Sequence, residues 1–164
     1  MYNWNGIWTI RHYRKGKLIY EDIGKNSLVQ EGEEAMLETF FRDNSDYAPT
    51  EFYLRLCNST PSITSVLVTI ANEPSGNGYS AQLLERSTVG FPTKELNDGD
   101  YRLVSKEVTF SAVGGEIGPV TNAYLATTSD DSGKLIAFRA LSLQRTVLDG
   151  DEMVVQMKIK LKEG

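Results

Sequence analysis

The sequence predicts a mainly β fold: a single-domain β-sandwich or jelly-roll-like fold with an N-terminal hairpin and one α-helix at about 31–42. Three observations predict it. Seven or eight short runs alternate apolar and polar residues, or are rich in β-branched and aromatic ones, which is the period of a half-buried strand. Clusters of Gly, Asn, Asp and Pro separate those runs, as turns do in sandwiches and jelly rolls. Only one stretch places apolar residues convincingly at helical spacing.

Residues 8–13 alternate, with Trp8, Ile10 and His12 on one side and Thr9, Arg11 and Tyr13 on the other. Arg14-Lys15-Gly16-Lys17 then turns the chain into Leu18-Ile19-Tyr20, a hairpin with Gly16 in its turn. In the helix, Met36, Leu37, Phe40 and Phe41 form one apolar stripe, expected to pack against a sheet. Glu31, Glu33 and Glu34 crowd its first turn and Arg42 its last, each charge placed as the helix dipole favours. Asn26 or Ser27 is available near its start and Asp43-Asn44-Ser45 stops it.

Beyond residue 50 the pattern is β. Phe52, Leu54 and Leu56 alternate with Tyr53, Arg55 and Cys57. Residues 62–71 fit a strand or about one helical turn through Val66, Leu67 and Ile70, and 72–77 is a turn. Residues 79–86 read as extended, 87–99 as a long loop, and 101–112 as one strand with Val104, Val108, Phe110 and Ala112 on one face. Gly114-Gly115 breaks it. Strands at 122–127, 134–143 and 153–161 complete the set, the last alternating at Val155, Met157, Ile159 and Leu161.

A chain of 164 residues suits one β-rich domain, 1–164, with 1–25 as an N-terminal arm or hairpin. Such a chain buries about two-thirds of its surface, enough for a core without staples. Hydrophobic residues at 40% and charged residues at 24% argue against disorder. A net charge of −5, with no basic cluster beyond 11–17, argues against a nucleic-acid partner. No apolar run approaches the roughly 20 residues of a membrane span. The N-terminus also lacks a signal-peptide layout, so synthesis in a cytoplasm is expected. Cys57 is the single cysteine, so no internal disulfide is expected.

No catalytic, cofactor or metal constellation emerges. His12 is the only histidine, and any Ser-His-Asp or Cys-His pairing has to use it; its place beside Trp8 and Ile10 makes it a packing residue. Cys57 reads as a small filler. The acidic groups Asp98/Asp100, Asp130/Asp131 and Asp149/Asp151/Glu152 each sit beside a glycine, where turn chemistry explains them. Asn72 to Tyr79 holds two glycines without the strand, helix and Lys-Ser/Thr pair of a phosphate loop. The aromatic N-terminus needs a destination, and Trp4, Trp8 and Tyr13 are expected to anchor an interface, since Trp and Tyr dominate binding hot spots.

Ordered segments carry a resemblance. NSLVQEGEEAML opens the helix, FYLRLCNSTPS follows, then NEPSGNGYSAQLLERSTVGFP, VTFSAVGGEIGPVTNAYLATT and GKLIAFRALSLQRTVLDGDEMVVQMKIKLK. In this order they resemble a group of small bacteriophage virion structural proteins. No cofactor is expected, and the resemblance supplies no catalytic residues to carry over; it implies a virion location and synthesis in the host cytoplasm. It also implies the major capsid protein or other virion proteins as partners, and a homo-oligomer, a trimer favoured. The first expectation is a non-enzymatic capsid decoration (cement) protein bridging shell subunits. The alternative is a tail adaptor, tail-tip or fibre-base protein, and a more remote one is a carbohydrate-binding module.

Overall fold

The protein is described by a computed structural model that covers the backbone of residues 2–163 and the side chains of residues 6–161. Two antiparallel sheets face each other. In the first, β1 (Tyr2–Arg14) and β2 (Lys17–Lys25) form a long hairpin. Lys15 at φ 48° and Gly16 at φ 73° turn it, the pair of left-handed residues that a two-residue hairpin loop requires. β11 (Asp151–Glu163) runs along the whole of β1, from Tyr2↔Glu163 to Arg14↔Asp151. Its other side takes β8 (Val108–Ser111) and then β7 (Asp100–Val104), which leads to the edge strand β6 (Thr93–Asn97). The second sheet runs β3 (Ser27–Leu28), β10 (Leu135–Val147), β9 (Ile117–Ala126), β4 (Phe52–Cys57), β5 (Gln82–Leu84).

Alternation sorts the side chains into two cores. Trp8, Ile10, Phe110, Met153, Val155 and Met157 of the first sheet meet Leu54, Leu56, Ala123, Leu125 and Ala137 of the second. Each such side chain contributes about 1.5–3 kcal/mol by leaving water. Cys57, Tyr124, Ala126 and Leu135 point to the far side of the second sheet, where Val29 and Leu67 cover them. Leu67 comes from a short 3-10 turn, Leu67–Thr69, which settles the ambiguous stretch at 62–71.

The helix, α1, spans Gln30–Phe41, close to the expected range. Its packing is the reverse of the expectation. Gly32 and Ala35 are the buried positions, while Leu37, Phe40 and Phe41 are 57%, 82% and 75% exposed. The reason is close approach: a Cβ on Gly32 would collide with the Ile136 carbonyl oxygen of β10. The helix therefore seats on its small residues and turns the bulky stripe outward. Glu31 secures the seat, its carboxylate accepting from the backbone N–H of Leu67 at 2.9 Å and of Leu135 at 2.6 Å.

Two other expectations change. The 87–99 loop contains β6, joined to β7 by the two-residue turn Asp98-Gly99, with φ 52° and 84°. The single strand at 101–112 is two strands. Between them, Ser105 binds Met157 in both directions, its N–H donating to the Met157 carbonyl and its Oγ accepting from the Met157 N–H. That break reverses which face the residues occupy: Val104 pairs with Lys158 on the outer face, whereas Val108 and Phe110 point inward.

Candidate functional site

Two of the buried polar clusters contain the residues with most capacity for chemistry, and both are fully committed. In the first, His12 is 0% exposed. Its Nε2 lies 2.9 Å from Asp151 Oδ2, and its Nδ1 accepts from Arg145 Nε at 3.2 Å. Arg145 can only donate, so Nδ1 must be the bare acceptor and the neutral ring carries its hydrogen on Nε2. Burial holds the imidazole below its ordinary value, against the opposing pull of Asp151. Asp151 also receives Arg14, with Nη2 at 2.8 Å. The Arg14 guanidinium, helped by His12, holds the Asp151 carboxyl down at about 2. Both nitrogens of His12 are occupied, and this is a clamp between β1 and β11 rather than an acid–base pair.

In the second cluster, Arg55 is 3% exposed. It is paired with Glu73, with Asp131 at 2.9 Å and with the Asp130 carbonyl at 2.7 Å. Tyr79 donates to Glu73 at 2.7 Å and accepts from the Leu56 N–H at 2.9 Å. These contacts tie the 72–79 turn and the 130–131 turn onto β4. Burial pushes the Cys57 thiol up, away from the reactive thiolate.

The acidic groups prove to be turn and pairing residues. Asp98 sits in the β6–β7 turn, and Asp100 takes Lys160 at 3.2 Å. Asp130 accepts from the Ser132 N–H at 3.0 Å, and Asp149 from the Gly114 N–H at 2.8 Å. Among the described residues, no group of three or more His, Cys, Asp or Glu side chains is arranged to hold a metal ion. A groove of about 500 Å³ lies between residues 46–53 and 127–134. Its Glu51, Asp130 and Tyr47 already bind the Arg86 N–H, Ser132 and Glu34 respectively.

Of the three expected interface anchors, Trp8 needs correction. Trp8 is 1% exposed in the main core, because the even positions of β1 face the second sheet; it offers no surface to a partner. Tyr13 is half-buried in the turn half of the hairpin. Trp4 pairs through its backbone with Leu161, and its side chain lies outside the described residues.

Register exposes a different surface. On the inner face of the first sheet the pairs His12/Met153, Ile10/Val155 and Trp8/Met157 are all buried. One step on, Gly6 faces the half-buried Ile159; the next pair, Trp4/Leu161, leaves Leu161 57% exposed. Leu103 pairs with Ile159 and so shares that face, as do Tyr101 and its partner Leu96. They are 39%, 67% and 62% exposed. The first sheet thus projects past the second with its apolar inner face uncovered. The outer face of the same strands is polar and paired, with Arg102 on Glu95 at 2.5 Å and Lys160 on Asp100 at 3.2 Å. A face built for water carries such pairs; the overhang carries leucine and tyrosine. Period-2 alternation signals the inner face, but its lack of cover depends on the length of the opposite sheet, which no local pattern encodes.

The family model described as podophage GP4 fiber I protein gp80 matches residues 27–159. No curated protein matches the chain.

Proposed function

The chain belongs to the podophage GP4 fiber I protein gp80 family and is a bacteriophage virion structural protein; from that premise we propose that it serves at the tail fibre, as a non-enzymatic component that assembles with itself and with other virion proteins. The observation that carries the reading is the family match across 27–159, whose description names a fibre. It favours the fibre-base alternative over shell decoration, since that description says nothing of a capsid.

A structural role also fits the chemistry on the surface. The potentially reactive side chains are committed: His12 to Asp151 and Arg145, and Cys57 to the covered far side of the second sheet. The described surface also exposes large apolar side chains, among them Leu96, Tyr101 and Leu161 at the overhang and Leu37, Phe40 and Phe41 along α1. Contiguous exposed apolar patches of this kind mark association sites.

The test is position and copy number in purified virions. Gold-labelled antibody against this protein is expected at the tail, with few copies relative to the major shell protein. Label distributed over the head, at near shell stoichiometry, overturns the fibre reading in favour of decoration.

A further inference from the structure

Two exposed apolar surfaces of this protein complement each other in charge. The overhang presents Leu96, Tyr101, Leu103 and Leu161. Its one described charge on that face is Lys94, which faces Leu103 across the β6–β7 hairpin and lies 5.8 Å from the Tyr101 ring centroid. The stripe on α1 presents Leu37, Phe40 and Phe41, the two rings edge-to-face at 4.9 Å. Glu33 and Glu34 lie one turn earlier on the same helix face. Among the described residues neither Lys94 nor Glu33 enters an ion pair.

We propose that the overhang of one copy receives the α1 stripe of a second copy. Charge decides against like meeting like. Two overhangs face to face oppose Lys94 to Lys94, and two helices oppose Glu33 and Glu34 to themselves, whereas the crossed contact sets Lys94 against Glu33. A helix laid on an open sheet face is also the packing that the rest of this fold lacks on that side. The contact joins two different surfaces, so a pair of copies still has one helix and one overhang free, and assembly continues until a ring closes. This rests on the reading of the protein as a self-associating virion component. Its test uses the purified full chain, so its failure is separate from a failure of the tail-fibre location.

The experiment is light scattering after size-exclusion chromatography, over a concentration series, on the wild type and two double variants. One carries Leu96→Ser and Tyr101→Ser, the other Phe40→Ser and Phe41→Ser. The wild type is expected to run larger than a monomer and each variant as a monomer. An equimolar mixture of the two variants is expected to give a one-to-one dimer, because one intact overhang and one intact helix remain between them. A Lys94→Glu variant, on an exposed side chain, serves as the check independent of folding. It is expected to weaken association about tenfold and to be rescued by Glu33→Lys in the same chain. A wild type that stays monomeric throughout, a double variant that keeps the wild-type assembly, or a variant mixture that remains monomeric overturns the proposal.

Discussion

The inner face of the first sheet has a covered half and a projecting half, and the two differ little in composition. Trp8, Ile10, Met153 and Val155 in one half and Leu96, Tyr101, Leu103 and Leu161 in the other are all large and apolar, on continuous strands of the same sheet. The first group is 0–1% exposed and the second 39–67% exposed. The difference lies in what stands opposite: β4, β9 and β10 reach one half and stop before the other. Apolar character therefore has two meanings on one surface. In the covered half it holds the fold together, and in the projecting half it is the surface proposed to receive a second copy.

Substitutions separate those meanings. The largest effect is expected in the covered half, where Trp8→Ala removes a fully buried ring and should cost about 3–5 kcal/mol in denaturant unfolding. A Trp8→Ala cost near zero would mean that the covered half is no more a core than the overhang. Next comes the clamp at the far end of that half. Asp151→Asn leaves Arg14 without its anion, and His12 with a weaker acceptor, for about 3 kcal/mol. The clamp also sets a pH window. The Asp151 carboxyl sits near 2 in the folded chain, below its ordinary value of about 3.9 when unfolded. Its contribution is therefore complete above pH 4 and disappears as pH falls toward 2. His12, held low by burial, pulls in the same direction as pH falls below about 6.5. Acid unfolding of the Asp151→Asn variant should show a flatter pH dependence than the wild type, and an unchanged profile would assign the acid sensitivity elsewhere.

A smaller loss is expected at the helix seat. Gly32→Ala pushes α1 off β10 and should cost about 1–3 kcal/mol in a thermal melt. Smallest of all is the projecting half. Tyr101→Ala is expected to change stability by no more than about 0.5 kcal/mol. A cost as large as that of Trp8 would show that the overhang is already covered within a single copy.

Much of this was legible in the sequence, and the failures share a cause. The hairpin at Gly16, the helix near 31–42, the alternation of β4 and the closing strand all follow from period and turn chemistry, which are local properties. The stripe on α1 was legible as a stripe but not as a solvent-facing one. Gly32 and Ala35 look like weak positions until β10 is placed against them, and then their smallness makes them the contact. Trp8 and Trp4 looked alike as aromatic residues near an end of the chain. Trp8 is buried because the second sheet stands opposite it, and that cover is supplied by residues distant in sequence such as Leu54, Leu56 and Leu125. The division of 101–112 was hidden for the same reason: Ser105 is an ordinary polar residue until it meets Met157. Neither polar cluster was visible, since Arg55–Glu73 and His12–Asp151 join residues that share no motif.

The pairing of β1 with β11 has a consequence for how the molecule comes into being. Tyr2 lies across from Glu163, and every other pair in that ladder spans a comparable separation. Such contacts form late, because a long loop must close before any of them can hold. On the ribosome, β1 and β2 emerge ahead of the other strands described and can form their hairpin, yet β1 lacks its other strand partner until residues 151–163 have been synthesised. Until then Trp8 lies on a sheet that is still incomplete, in a segment with exposed strand edges. With Trp4→Phe in place so that Trp8 is the sole tryptophan, stalled chains ending before residue 151 are therefore expected to show solvent-quenched fluorescence, and the signal of the buried ring should arrive only with β11.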